Sequence, residues 1–254
     1  MSNYSRPPAC CFGVRGVVES VGWFSFNKFF CYSYCDEQGF FFDLDGVLIN
    51  DEAIWEDKKQ EMYPRLFGEK IHKIIGSTLG INMDGIYDKA VAAGTNIPKE
   101  QFINEFYALA GDVYSTAPIP DGTSLLAESL LNLGYRIGIV SASPLSWITT
   151  VTKRLSFEDK IELIISLHER DDLKHKPEPD GYLEAMKAFE SSPASTVILE
   201  DSNSGIKSAK ESGAYTIGLR QNLVEGYVQE GADAYAETMS DVIELVERRS
   251  TFLV

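Results

Sequence analysis

No stretch of about 18 uncharged apolar residues occurs in this chain, so a membrane-spanning helix is not expected. Positive charge is scarce as well. Against 38 aspartates and glutamates stand 23 lysines and arginines, a formal net charge of -15. Nucleic acid and anionic membranes both repel such a balance, so neither is an expected partner. A small anionic substrate needs positive charge gathered locally. Cysteine is missing beyond Cys10, Cys11, Cys31 and Cys35. A disulfide framework confined to one tail would hold nothing else together, and a reducing, cytoplasmic setting is expected. No histidine lies near these cysteines, and their spacing is not that of a usual zinc knuckle. The same segment lacks the basic start and unbroken apolar centre of a secretory leader, since Glu19, Asn27 and Lys28 interrupt it.

Aromatic residues are plentiful there instead. Residues 1–38 hold nine, among them Trp23, Phe24, Phe26, Phe29 and Phe30, without helical or strand periodicity. They read as an extension with no assigned role. With 44% hydrophobic residues, the 254-residue chain can bury one substantial core and has room for a smaller second unit. Residues 53–117 turn helical. Phe102, Phe106 and Leu109 recur at helical spacing behind Pro98, and Ile54, Trp55, Met62 and Leu66 predict an earlier helix, interrupted or bent near Pro64.

Residues 39–52 and 118–254 read differently. Apolar strands at 136–140, 161–165, 196–200 and 215–219 alternate with helices around Leu125 to Leu133, after Pro144, over Asp180 to Phe189 and up to Gly213. Strands apolar throughout that alternate with helices predict an α/β fold, a three-layer Rossmann-like parallel sheet, with the helical segment inserted into it. Chemistry in such folds gathers at the carboxyl ends of the strands.

Each predicted strand end carries a polar group. The run FFDLDGVL over 41–48 ends an aromatic strand in Asp43 and Asp45, which would point the same way if the strand continued. That crowding is unfavourable unless a cation, a proton or a substrate relieves it. Ser141 ends the next strand, Glu200 and Asp201 end TVILE, and Lys176 stands before Pro177 and Pro179 in the loop after 161–165. Acids suited to a divalent cation accompany a hydroxyl and an ammonium suited to an anion.

In these four runs, DLDGVL, VSASP, KPEPD and LEDSNSGI, taken in this order, the chain resembles the haloacid dehalogenase superfamily. The resemblance covers residues 38–254 and lies in the branch of beta-phosphoglucomutase and 2-deoxyglucose-6-phosphate phosphatase. It implies that residues 53–117 are a cap domain. It also implies magnesium, with Asp43 as nucleophile toward phosphorus and Asp45 as acid and base. The metal set it suggests is Asp43, Asp201 and the backbone carbonyl of Asp45, with Glu200 behind them. Ser141, Ala142 and Lys176 would bind the phosphoryl group, and Lys176 would restrain Asp43. Ser141 would alternatively cap the helix after Pro144. His175 reads as a loop residue.

The expected activity is that of a monomeric phosphatase on a small phosphorylated metabolite, a sugar phosphate, through an aspartyl-phosphate. A phosphomutase on the same scaffold, and a phospho-accepting or degenerate binding module, are the other classes. Dehalogenation is disfavoured because its leaving halide needs no proton from Asp45. Two positions depart from the branch's pattern: Asp51 stands where a hydroxyl is common, and Trp55 stands where the mutase has a histidine. The latter favours a phosphatase.

Overall fold

The computed structural model describes residues 36–78, 81 and 83–252, and the four cysteines lie outside them. Six strands form one sheet: β1 Gly39–Phe42, β2 Arg136–Ser141, β3 Ile161–Ser166, β4 Thr196–Glu200, β5 Tyr215–Leu219 and β6 Ala234–Ala236. Their order is β3-β2-β1-β4-β5-β6, and every neighbouring pair is parallel.

Alternation along β1 shows why the sheet needs cover on both faces. Phe40 and Phe42 enter one apolar cluster with Ile137, Ile139, Val197 and Leu199, while Phe41 enters another with Val140 and Ile198. The first cluster is closed by helices α5 Thr123–Asn132, α6 Leu145–Thr152 and α9 Met239–Phe252, through Leu126, Leu130, Ile148, Val242 and Val246. The second is closed by α7 Asp180–Phe189 and α8 Asn203–Glu211, through Tyr182, Met186, Phe189 and Ala209. Helix, sheet, helix make the three layers expected of the sequence. Among the described residues no helix is long and apolar enough to cross a membrane.

Between β1 and α5 the chain forms α1 Glu52–Phe67, α2 Glu69–Ile75, α3 Met83–Ala92 and α4 Lys99–Thr116. These helices bury their own cluster, which includes Met62, Tyr63, Phe67, Ile86 and Phe102. Trp55 at the start of α1 and Ala110, Val113 and Tyr114 near the end of α4 join the sheet-side core instead. The chain therefore crosses between the two regions twice, and the crossings are tied together by Asn50 N–H donating to Pro118 O at 2.8 Å. Arg154 adds a second tie, donating from Nη1 to Tyr114 O at 2.8 Å and from Nη2 to Ala117 O at 2.5 Å.

Of the interruption or bend expected near Pro64, an interruption at the proline itself does not occur. Helix α1 runs through it to Phe67, and Gly68 N–H closes the last turn on Pro64 O at 3.0 Å. A proline removes one helical donor, but buried Met62, Tyr63, Leu66 and Phe67 hold the face on both sides of it. Phe102 is the hub of this region, with ring centroids 5.7 Å from Phe67 and 5.6 Å from Tyr87. Phe102→Ala should cost about 3–5 kcal/mol in a denaturant titration, as large-to-small changes of buried aromatics do. A change below about 1 kcal/mol would mean that this cluster is not a packed core.

Candidate active site

The strand of β1 carries one ladder bond past its end. Asp43 N–H donates to Leu199 O at 3.0 Å, which sets its carboxylate at the carboxyl edge of the sheet between β2 and β4. The chain then turns. The N–H groups of Val47, Leu48 and Ile49 all converge on Leu44 O. Gly46 takes φ 75°, and any side chain there would collide with the Asp201 carboxylate. Because the strand stops at Phe42, Asp43 and Asp45 are not the like-facing pair that a continued strand would give. They enter different surroundings.

Asp43 is buried at 7% exposure and meets charge. Lys176 Nζ donates to Asp43 Oδ1 at 2.6 Å, to Glu200 Oε1 at 2.6 Å and to Val140 O at 3.1 Å. Tyr182 OH donates to the same Glu200 oxygen at 2.7 Å. Glycine at 205, in the first turn of α8, leaves room for the Glu200 carboxylate. Burial pushes the Asp43 carboxyl up to about 7; Lys176 opposes that rise, and Glu200 and Asp45 add to it. Asp201 is raised well above the carboxylate range by burial, then by Asp43 and Glu200. Burial works against the Lys176 ammonium, yet Asp43 and Glu200 outweigh it and hold its pKa well above the ordinary value.

Asp45 meets hydroxyls. Tyr114 OH donates to its Oδ1 at 2.6 Å and Ser143 Oγ to its Oδ2 at 2.7 Å. Asp51 stands behind the turn, accepting Gly46 N–H at 3.2 Å. Burial, then the neighbouring Asp45 charge, raises the Asp51 carboxyl well above its usual range.

One carboxylate oxygen each from Asp43, Glu200 and Asp201 lie within 4.8 Å of one another. The Asp45 side chain stands outside this trio because its oxygens face the hydroxyls. Glu200 Oε1 is taken by Lys176 and Tyr182. Asp43, Asp45, Ala142, Lys176 and Asp201 line a cavity of about 440 Å³ whose far wall includes Asn222, Leu223 and Tyr227. Ser141 is fully buried, and its hydroxyl accepts Ser143 N–H at 2.9 Å. It does not cap α6, whose first N–H, that of Leu145, donates to the Glu169 carboxylate instead. His175 lies in the loop before Lys176, where its carbonyl accepts Glu178 N–H.

Tyr114, Ser143, Tyr182 and Asn222 were not among the residues expected from sequence. Ser143 lies inside VSASP, two residues from Ser141, and was within reach of sequence reading. Tyr182 follows KPEPD by two residues. Nothing in α4 distinguishes the Tyr114 phenol from a core ring, and Asn222, which donates to Gly46 O at 2.9 Å, comes from beyond the last motif.

Comparison with known proteins gives concordant results. A family model described as haloacid dehalogenase-like hydrolase matches residues 40–219. The chain is 26% identical over 196 residues to validoxylamine A 7'-phosphate phosphatase of Streptomyces hygroscopicus subsp. limoneus, covering 70% of this chain and 83% of that one. It is 27% identical over 212 residues to beta-phosphoglucomutase of Bacillus subtilis, covering 79% and 89%. In fold it is similar to a family IA, variant 3 hydrolase of Entamoeba histolytica, with a TM-score of 0.66 and 21% identity over 83% of this chain and 99% of the other.

Proposed function

The chain belongs to the haloacid dehalogenase-like hydrolases, and from that premise we propose that it is a magnesium-dependent phosphatase hydrolysing a sugar phosphate through an aspartyl-phosphate. The observation that carries this reading is the division of labour between the two acids, one gripped by an ammonium beside further carboxylates and the other held at both oxygens by hydroxyls, with no cation of the described residues on it and the Asp51 carboxyl beside it. Environments so unlike suit unlike tasks.

Lys176 fixes one oxygen of Asp43 and leaves the other to attack phosphorus, forming the new phosphorus–oxygen bond as the ester oxygen departs. Asp45, beside it in the cavity, gives the departing alkoxide its proton, then takes one from the water that cleaves the aspartyl-phosphate. Ala142 and Lys176 line the cavity where the phosphoryl group would sit; the ammonium, its three N–H groups engaged by Asp43, Glu200 and Val140 O, attracts the phosphoryl oxygens by its charge, and buried Ser141 supports the loop that carries Ala142. The donor set fits a hard divalent ion, since it is all oxygen and three carboxylates face one lysine. Asp43, Asp201 and the Asp45 carbonyl would hold magnesium, with Glu200 behind them. Bound there, the ion supplies positive charge that offsets repulsion between the phosphate and Asp43.

We read residues 53–117 as a cap that selects the organic half of the substrate. Trp55 supports hydrolysis over mutase chemistry. It is buried and stacked on Phe106 at 4.6 Å, and it offers no imidazole where the mutase branch has one. The test is a panel of hexitol 6-phosphate, glycerol 3-phosphate, β-glucose 1-phosphate and 2-phosphoglycolate, assayed with magnesium for free phosphate and for isomer. Phosphate should appear from a sugar or polyol ester, with no isomer formed. Conversion of β-glucose 1-phosphate to the 6-phosphate without phosphate release would replace this reading with a mutase. EDTA should silence turnover and added magnesium restore it, whereas full activity in EDTA would remove the metal from the proposal.

A further inference from the structure

We infer that Tyr114 is a positioning residue of the reaction, acting through Asp45 by a hydrogen bond from outside the four motif runs. The inference rests on the phosphatase reading of Asp45 given above. The residue five positions after Gly46 is the acid Asp51, whose carboxyl accepts Gly46 N–H and stands within hydrogen-bonding reach of the Asp45 carboxylate. Asp45 is also held by hydroxyls from two other elements. Ser143 comes from the loop after β2, and Tyr114 from the last turn of α4, 69 residues along the chain from Asp45. Each takes a different carboxylate oxygen, and the two hydroxyls lie 3.2 Å apart. A carboxylate gripped at both oxygens has its plane fixed, which proton delivery to a leaving oxygen requires.

The phenol is itself held rigidly. Tyr114 is 3% exposed, its ring stacks on Trp147 at 4.9 Å and meets Trp55 edge-on at 6.2 Å. Its carbonyl is gripped by Arg154. Ring and backbone are thus anchored without the hydroxyl, so the hydroxyl's bond to Asp45 is separable from packing. Tyr114→Phe removes that bond and keeps the stack.

Two kinds of ester distinguish positioning from packing. An alkyl ester needs a proton on its leaving oxygen, whereas p-nitrophenolate departs without one. Tyr114→Phe is compared with wild type in steady state on the faster of hexitol 6-phosphate and glycerol 3-phosphate, and in the first-turnover burst of p-nitrophenol from p-nitrophenyl phosphate. We expect kcat on the alkyl ester to fall roughly ten- to hundredfold, the scale of a lost hydrogen bond to a charged group, with KM unchanged. The burst rate should stay within about threefold of wild type. Asp45→Asn should show the same contrast more steeply. Ser143→Ala, which removes the other donor, should show it too and serves if Tyr114→Phe does not fold. An equal fall on both esters assigns Tyr114 to packing and overturns the inference, and so does no fall on either. Loss of the contrast in Asp45→Asn itself would overturn the role of Asp45, and the inference with it.

Discussion

Asp43→Asn will abolish turnover of every phosphate ester while the protein stays folded. In the function proposed above the Asp43 carboxylate attacks phosphorus, and an amide in its place cannot form an acyl phosphate that water then reopens. Losses on removing a covalent nucleophile are large, and at least about 10⁴-fold is expected here. Nothing in the packing opposes the change, because Asp43 and Asn have nearly the same shape and Lys176 keeps Glu200 as a partner. Stability of the metal-free protein should even favour the variant. Burial raises the Asp43 carboxyl from 3.8 to about 7, so between those values the native state keeps a proton that the unfolded chain has lost. In that window wild-type stability therefore falls as pH rises, and Asp43→Asn escapes this loss. Thermal melts in EDTA from pH 4 to 8 should show the variant gaining on wild type with rising pH. Residual turnover within tenfold of wild type would show that another group attacks phosphorus.

Lys176→Met should lower kcat by about 10²- to 10³-fold, the scale of removing one preorganised electrostatic group. Its ammonium, 9% exposed on the side chain, is shared between Asp43 and Glu200 at 2.6 Å each. Methionine matches the stem in volume but leaves two buried carboxylates facing one another, and breaking a buried pair by removing one partner costs about 3–5 kcal/mol. The melting temperature should drop, and raising magnesium should recover part of it, since a divalent ion at the same acids relieves the same repulsion. An unchanged melting temperature and kcat would mean that Lys176 is solvated in solution and belongs to no ion pair.

How much of this was legible in the sequence depends on the range over which each signal acts. The acids at 43, 45, 200 and 201 stand out because they break a locally apolar pattern at a strand end, and a break of that kind is read within a few residues; Lys176, in a polar loop, is marked only by Pro177 and Pro179 after it. Beyond Leu219 the edge strand β6 has only three residues, too few to show alternation, whereas helix α9 carries Val242 and Val246 at helical spacing and was legible though unread. Pro64 shows the converse, a local signal for interruption that the helix outlasts by three residues, with buried side chains on either side of the proline. Tyr114 was invisible because a helix writes a buried phenol and a buried phenyl at the same period, and only the three-dimensional neighbour distinguishes them. The gap between Asp43 and Asp45 in environment was legible only in part. The sequence shows two acids two residues apart, but the tight turn on Leu44 O is what sends them to different partners.

The paired crossings at Asn50 and Pro118 are clamped from the sheet side: Arg154, just past α6, grips the carbonyls of Tyr114 and Ala117, and Trp147 of α6 stacks on the Tyr114 ring. The phenol that meets Asp45 therefore takes its bearing from the same layer that carries Ser143, so both donors to the acid share one foundation although they come from distant parts of the chain.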